Sequence, residues 1–400
     1  MKAQIKTESE VFKKLEQSFL KHFSNDDGVK YFSSPTSIIL LGDHTQYNDG
    51  LMISVSFNCY VGVALRKSDK GYSVVYDNKM YSSHSLSKFD FPAEESLLKS
   101  LNNLFKQIED EKIITSGFEC CIVNETSKTF GLGNHAAITM GFLKAMDSVF
   151  DTNLSNQKLV DLAVESEKKL YGKVVSKPLY YSSLAHRENT LMYYDTRSDF
   201  HQFLPIDDKV QFVVCKTNIE KKNFHQTCKE RIEECEIGVK GLRLYIWGIK
   251  NLRDVEEKFL ERHIHMLPKR LYSRCFYNVL ARKIVEESYK NLKNNDCEEF
   301  ARKLNETHSG LAEHYEISSQ TMNELVKLAD ESKLCLGSKM ISCSYNDSTI
   351  NLVYKKNIDK FDTFMKKNFS LNNGTKLDIE NYSISDGAKQ FKAVRKSAAN

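Results

Sequence analysis

Ser34-Pro-Thr-Ser-Ile-Ile-Leu-Leu-Gly-Asp-His-Thr-Gln-Tyr-Asn-Asp-Gly50 joins two physical opposites. Ile38 to Leu41 is an aliphatic run of the kind that fills a buried strand. Directly after it come Asp43, His44, Gln46, Tyr47, Asn48 and Asp49, a dense set of donors and acceptors. Two readings fit. Carboxylates and amides leaving a strand end suit the hydroxyls of a polyol, which they can bond in pairs. The same residues suit a hydrogen-bonded reversal, with Asn48-Asp49-Gly50 as the turn. Residue types alone do not choose between them.

The rest of the chain bounds the answer. Its 400 residues exceed one small core and suit two domains. With 41% hydrophobic residues, 28% charged residues and five prolines, the composition is that of an ordinary globular chain. The net charge is only +4, and Lys and Arg are spread among Asp and Glu, with short clusters such as 221–223. That pattern expects a solvated surface and no nucleic-acid partner. Of ten cysteines, Cys120 and Cys121 are adjacent, and Cys59, Cys215, Cys275, Cys335 and Cys343 lie in apolar or strand-like stretches. Without a Cys-x-x-Cys pair, buried free thiols in a reducing compartment are expected, and no zinc site. The N-terminal stretch reads as a charged amphipathic helix, not as an apolar signal core. No run of 18 apolar residues suggests a membrane span. A cytoplasmic protein with no membrane partner is expected.

Periodicity supplies the outline. Val11, Leu15, Phe19 and Phe23 share one helical face over residues 8–23. Strands are predicted at Ser37–Leu41, Met52–Leu65, Gly71–Tyr76 and Phe118–Asn124, and a short one at Leu191–Tyr194. Gly131-Leu-Gly133 opens a helix carrying Ala136, Ala137, Met140, Leu143 and Ala145. From Val210 the pattern restarts with a strand, then long helices, with Phe276, Leu280 and Ile284 at four-residue spacing. Lys339–Tyr354 alternates like a hairpin with Asn346-Asp347 as its turn, and a last strand lies near Tyr382–Ile384. Two successive mixed sets predict an α+β protein of two lobes, 1–203 and 204–400. The weakest connection falls at 199–209.

Gly131, Leu132, Gly133, Asn134 and His135 form a second candidate site. Glycines before a helix let backbone N–H groups converge on an anion, with help from the helix dipole. No Gly-Lys-Ser/Thr follows, so it is not a Walker loop. Glycines at a helix start are more often simple caps. His135 suits a packed or surface histidine, and His263-Ile-His265 lacks a third ligand and reads as structural.

Together these pieces resemble a galactokinase, within the GHMP small-molecule kinases. Ser34–Gly50 lies without a gap over the family's opening motif, and Gly131–Ala137 over its phosphate loop. Asp195-Thr-Arg197, Asn305–Ser318, Gly337-Ser-Lys-Met340 and Asp386-Gly-Ala388 match further landmarks in order. The resemblance implies the two-lobed GHMP fold with the ligand cleft between the lobes. It implies a sugar site at Asp43, His44, Gln46, Tyr47 and Asp49, and a nucleotide site at Gly131–His135. ATP and Mg²⁺ are the implied cofactors if nucleotide binding is retained.

The resemblance also marks losses. Ser37 stands where the family carries an Arg beside the reacting hydroxyl, and Leu179 where it carries the Asp proposed as base. No catalytic residue is therefore assigned. Cys228 replaces a sugar-contacting Tyr, Gly133, Asn134 and His135 replace three serines, and Ser342–Asp347 replaces a glycine-rich motif, with Asp347 adding negative charge. A pseudokinase holding a sugar-like ligand or a protein partner is expected. The alternatives are an active kinase in which Lys173, Lys177, Tyr180 or His186 takes over, and an interaction protein whose cleft is filled by Leu179 and Phe130.

Overall fold

The computed structural model describes residues 7–92, 98–126, 131–220, 224–342, 346–369 and 377–391. Phe130, Cys343, the 221–223 cluster and the middle of Ser342–Asp347 lie outside the described residues.

The first sheet holds β1 (Lys30–Leu41), β2 (Leu51–Ser68), β3 (Tyr72–Tyr76), β4 (Lys79–Ser83), β5 (Gly117–Asn124), β6 (Thr190–Asp195), β7 (Phe200–Pro205) and β12 (Lys389–Gln390). Their order is β12-β1-β2-β5-β3-β4, with β6 joining the start of β2 and β7 joining β6. The second sheet runs β11 (Asp378–Tyr382), β8 (Val210–Glu220), β10 (Asn346–Tyr354) and β9 (Cys335–Met340). Around the first sheet lie α1 (Glu8–Phe23), α2 (Lys99–Asp110), α3 (Asn134–Phe150), α4 (Asn156–Tyr171) and α5 (Lys177–Ala185). The second half adds α6 (Phe224–Leu242), α7 (Glu257–Arg262), α8 (Lys269–Lys293), α9 (Cys297–Ser309), α10 (Gln320–Glu331) and α11 (Ile358–Asn368).

The aliphatic run at Ile38–Leu41 is explained by burial on both faces of β1 and β2. Their upper halves pack with α2, α3 and α4 in one core that includes Phe105, Phe118 and Phe142. Ile38, Leu40, Ile53, Val55 and Phe57 pack instead against Phe212, Val214, Ile350 and Leu352 of the second sheet and against α8 and α9. One apolar core thus joins the two lobes, and a strand with no solvent face has no reason to alternate.

Three expectations change. Asn346 and Asp347 lie inside β10 and not at a turn. The 199–209 connection contains β7, whose partners on β6 run from Thr190↔Pro205 to Asp195↔Phe200, so the boundary at 203/204 falls within a strand. The strand near Tyr382–Ile384 is β11, which ends at Tyr382 while Ile384 makes only a single bridge to Phe57, and it is not the last, since β12 follows it. Each error placed a boundary where polar residues cluster, and strand pairing had the larger say.

Candidate functional site

Pro35 sets the local geometry. It has no N–H, so a central strand can carry it only where the ladder breaks. The β1–β2 register does shift between Pro35 and Thr36. Beyond that bulge the Ser37 N–H donates to the Leu132 carbonyl at 3.0 Å, tying the loop before α3 to β1. Gly133 follows with φ 71°, and a Cβ there would lie 2.3 Å from the Ser37 carbonyl oxygen. Glycine is required for so close an approach in the left-handed region.

The Ser37 hydroxyl donates to the Leu179 carbonyl at 2.8 Å and lies 3.2 Å from Ser183 Oγ. Ser183 in turn donates to the Pro35 carbonyl at 2.8 Å. Positions 37 and 179, far apart in sequence, therefore meet in the fold. Ser37 is fully buried, Leu179 packs on the first core, and neither side chain is charged.

At the start of α3, Gly133 offers no side-chain cap, so the first amides have no intrahelical acceptor. The Asn134 amide donates to the Thr126 carbonyl at 3.4 Å, while its Oδ1 is buried without a hydrogen-bond partner. Leu132 points into the core shared by the lobes, and Gly131 turns the chain with φ 91°. His135 Nδ1 stands 4.0 Å from Glu167 Oε1, and its ring meets Tyr171 edge-on. Burial pushes the Glu167 carboxyl up to about 7, against the pull of a hydrogen bond from Tyr180.

That shift has a sign. A carboxyl whose folded pKa is raised stabilises the fold below the unfolded value, and this contribution is lost as pH rises through the folded value. His186 and His308, pushed by burial down to about 4, act oppositely below the ordinary histidine range. Comparison with Glu167→Gln isolates the carboxyl. Urea melts from pH 5 to 7 are expected to show the variant gaining on the parent by about 1 kcal/mol per pH unit. A constant difference across that range would show that Glu167 does not titrate there.

The polar run after β1 forms the expected hydrogen-bonded turn. Thr45 Oγ1 donates to the Gly42 carbonyl at 2.8 Å, and the Asn48 and Gly50 amides return to the Thr45 carbonyl. His44 and Asp49 take left-handed backbone at φ 58° and 55°. Its side chains reach far across the sequence. Asp43 Oδ2 is paired with Lys339 Nζ at 2.5 Å, and Oδ1 accepts from Ser342 Oγ at 2.5 Å. The Tyr277 hydroxyl donates to the Asp43 carbonyl at 2.7 Å. His44 stacks on Tyr315, whose hydroxyl bonds that of Tyr47. Gln46 donates to the Val174 carbonyl at 2.9 Å, and Asn48 to Asn278 Oδ1 at 3.1 Å. Asp49 Oδ2 accepts from Arg197 Nε at 3.1 Å and from Asn251 Nδ2 at 2.5 Å. Arg197 also pairs with Asp254 at 2.7 Å, and Arg253 with Asp195 at 3.3 Å.

The galactokinase galactose-binding signature matches residues 17–67, and the GHMP kinase N-terminal domain matches residues 96–177. The galactokinase of Roseiflexus sp. (strain RS-1) is 24% identical over 352 residues, covering 87% of this chain and 89% of that protein. That of Clostridium acetobutylicum is 24% identical over 388 residues, covering 94% and 97%. The chain belongs to the galactokinase family of the GHMP superfamily. Lactococcus lactis galactokinase complexed with galactose superposes with a TM-score of 0.87 at 19% identity, covering 95% of this chain and 100% of that one. Methanococcus jannaschii mevalonate kinase gives 0.59 at 15% identity. At such identities the likeness shows the fold, which is the two-lobed α+β GHMP kinase fold.

Against this galactokinase-family frame, some residues of the site were not singled out from sequence. Glu167 lies on the buried face of α4 with Val160, Ala163 and Val164, so its three- and four-residue spacing was a usable signal. Lys339 was seen only as part of a matching motif, and nothing local marked it as the partner of Asp43. Tyr315 was seen only within the Asn305–Ser318 match, and Asn251 and Arg253 gave no signal at all. Cys228 is buried on α6, and Asp347 Oδ2 accepts from Ser319 Oγ at 2.6 Å within β10. His263 bonds the Phe259 carbonyl at 2.7 Å and stacks on that ring. No helix among the described residues is long and apolar enough to cross a membrane.

Proposed function

We propose that this galactokinase-family protein binds a small-molecule ligand without transferring a phosphoryl group. The observation that supports this best is the Ser37 hydroxyl bonded to the Leu179 carbonyl at 2.8 Å. Phosphoryl transfer to a hydroxyl needs a proton acceptor and compensation for charge on the phosphoryl oxygens. Serine and leucine supply neither.

The groups that could stand in are engaged elsewhere. Lys177 lies 2.8 Å from Asp161 and 2.6 Å from Asp199, and Lys173 pairs with Glu236. Tyr180 is buried against Glu167, and burial raises its hydroxyl well above the usual range. His186 bonds the Thr190 carbonyl at 2.9 Å and is held neutral at pH 7 by burial. These commitments weigh against an active kinase with rearranged groups.

The start of α3 fits a magnesium nucleotide. Asn134 Oδ1 and Glu167 Oε1 are buried oxygens without hydrogen-bond partners, a donor type that suits a hard cation, and uncapped amides suit phosphate. Asn134, His135 and Glu167 would hold it there, and the ion would offset the charge of the phosphates. A sugar-like ligand would use Asp43, His44, Gln46, Tyr47 and Asp49, between the two lobes. Those side chains now bind protein partners, so a sugar must compete for them.

Melting curves and an ADP assay test the proposal. Mg-ATP at a hundred times its Kd is expected to stabilise the fold by about 2.7 kcal/mol. Galactose is expected to add less, and the two together to release no ADP above background. ADP formation at ordinary kinase rates would refute the non-catalytic reading, and a flat response to millimolar Mg-ATP would remove the nucleotide.

A further inference from the structure

The last turn of α6 runs into a short loop that is anchored inward and apolar outward. The Arg243 N–H donates to the Val239 carbonyl at 3.0 Å, and the Tyr245 and Ile246 amides return to Leu242 at 2.9 and 2.8 Å. The Arg243 guanidinium then closes the loop, donating to the Ile249 carbonyl at 3.0 Å and the Lys250 carbonyl at 2.8 Å. Leu242, Ile249 and Leu252 are buried in the core beneath. With both ends fixed, Leu244, Tyr245 and Trp247 project into solvent at 80%, 51% and 99% exposure. Ile237, near the end of α6, is a further exposed apolar residue at 52%. Apolar side chains held outward on a fixed loop mark an interaction surface more than scattered exposed residues do.

Charge indicates what covers it. Between Ile237 and Lys250 the chain carries Lys240, Arg243 and Lys250 and no Asp or Glu. All three cations are exposed. A second copy packed through the same patch would set these cations against one another across a twofold axis. An anionic lipid surface meets both features. Trp and Tyr favour the headgroup level, Leu enters the acyl boundary, and Lys and Arg meet the lipid phosphates. We propose that residues 237–250 dock this protein reversibly on the surface of an anionic bilayer. The proposal is independent of whether the kinase site is active. It departs from the sequence-based expectation of no membrane partner, because composition cannot show which way a side chain points.

Trp247 is the chain's single tryptophan, so its emission reports the loop directly. The full chain is mixed with vesicles of phosphatidylcholine, with and without phosphatidylserine. Expected results are a blue shift and co-sedimentation with the phosphatidylserine vesicles, both weakened by salt. Leu244→Ser/Tyr245→Ser should reduce binding about tenfold or more, and Lys240→Glu/Lys250→Glu should abolish the preference for anionic lipid. Circular dichroism would check that both variants fold. Unchanged emission with protein left in the supernatant overturns the proposal, as does equal binding to neutral vesicles. A blue shift that grows with protein concentration in the absence of lipid also overturns it, in favour of a second copy.

Discussion

Lys339→Met is expected to destabilise the fold by about 3–5 kcal/mol, because it leaves a buried carboxylate without its counter-charge. Lys339 is fully buried and Asp43 is 3% exposed, so water cannot replace the lost ammonium. Among the described residues the remaining donor to the carboxylate is Ser342 Oγ, a neutral hydroxyl that offsets only part of a buried charge. Asp43→Asn/Lys339→Met removes both charges and should recover most of the loss, since an ion pair replaced as a unit is often near neutral. A second readout separates lost pairing from lost packing. His308 is held at about 4 by burial first and by the Lys339 charge second. Its NMR titration should therefore move upward in Lys339→Met. A single variant within 1 kcal/mol of the parent by urea melting would show that the pair is not what joins β9 to the turn after β1 (about 1 kcal/mol being the ordinary effect of a substitution).

Ser37→Arg is the second large effect. On the reading that the chain merely lost a charge from an open cleft, this substitution, with Leu179→Asp, should restore turnover. Position 37 is instead fully buried, its amide bonded to Leu132 and its hydroxyl to Leu179. An arginine there has to displace α5 or the Gly133 turn and bring its charge into a packed interior. Overpacking and an unpaired buried charge together are expected to cost on the order of 3–5 kcal/mol. Ser37→Ala should cost only about 1 kcal/mol, the net worth of one hydrogen bond. Ser37→Arg/Leu179→Asp that stays as stable as the parent and phosphorylates galactose would show that both positions open onto a working cleft.

Much of the frame was legible in the chain. The run Ile38–Leu41 announced a buried strand, and Val11, Leu15 and Phe19 a helix face, because burial repeats with backbone geometry and needs no knowledge of the partner. Gly133 marked a turn before a helix, and the strand does press against it. Boundaries were less legible. Polar residues at Asn346-Asp347 suggested a turn, but pairing of β10 with β8 on either side of Asp347 carries it into the sheet as a buried residue at a register shift.

The chemistry of the 43–49 segment was legible only as a list of residue types. Its two readings, polyol site and turn, rest on the same side chains, and sequence could not rank them. The fold adds a further role, since Asp49 and Asp43 reach into the second half of the chain through partners 202 to 299 residues away. Ser37 and Leu179 likewise acquire meaning only by meeting across 142 residues.

By itself the sequence determined the strand and helix pattern, the family, and the absence of charge at positions 37 and 179. Tertiary structure alone decided that Asp43 is neutralised by Lys339, that Glu167 lies under the α3 start, and that Trp247 faces solvent. The reason is range. Backbone hydrogen bonding and apolar periodicity act over a few residues and leave a local imprint, whereas the pairing of a charge depends on what the folded chain brings within a few ångströms of it.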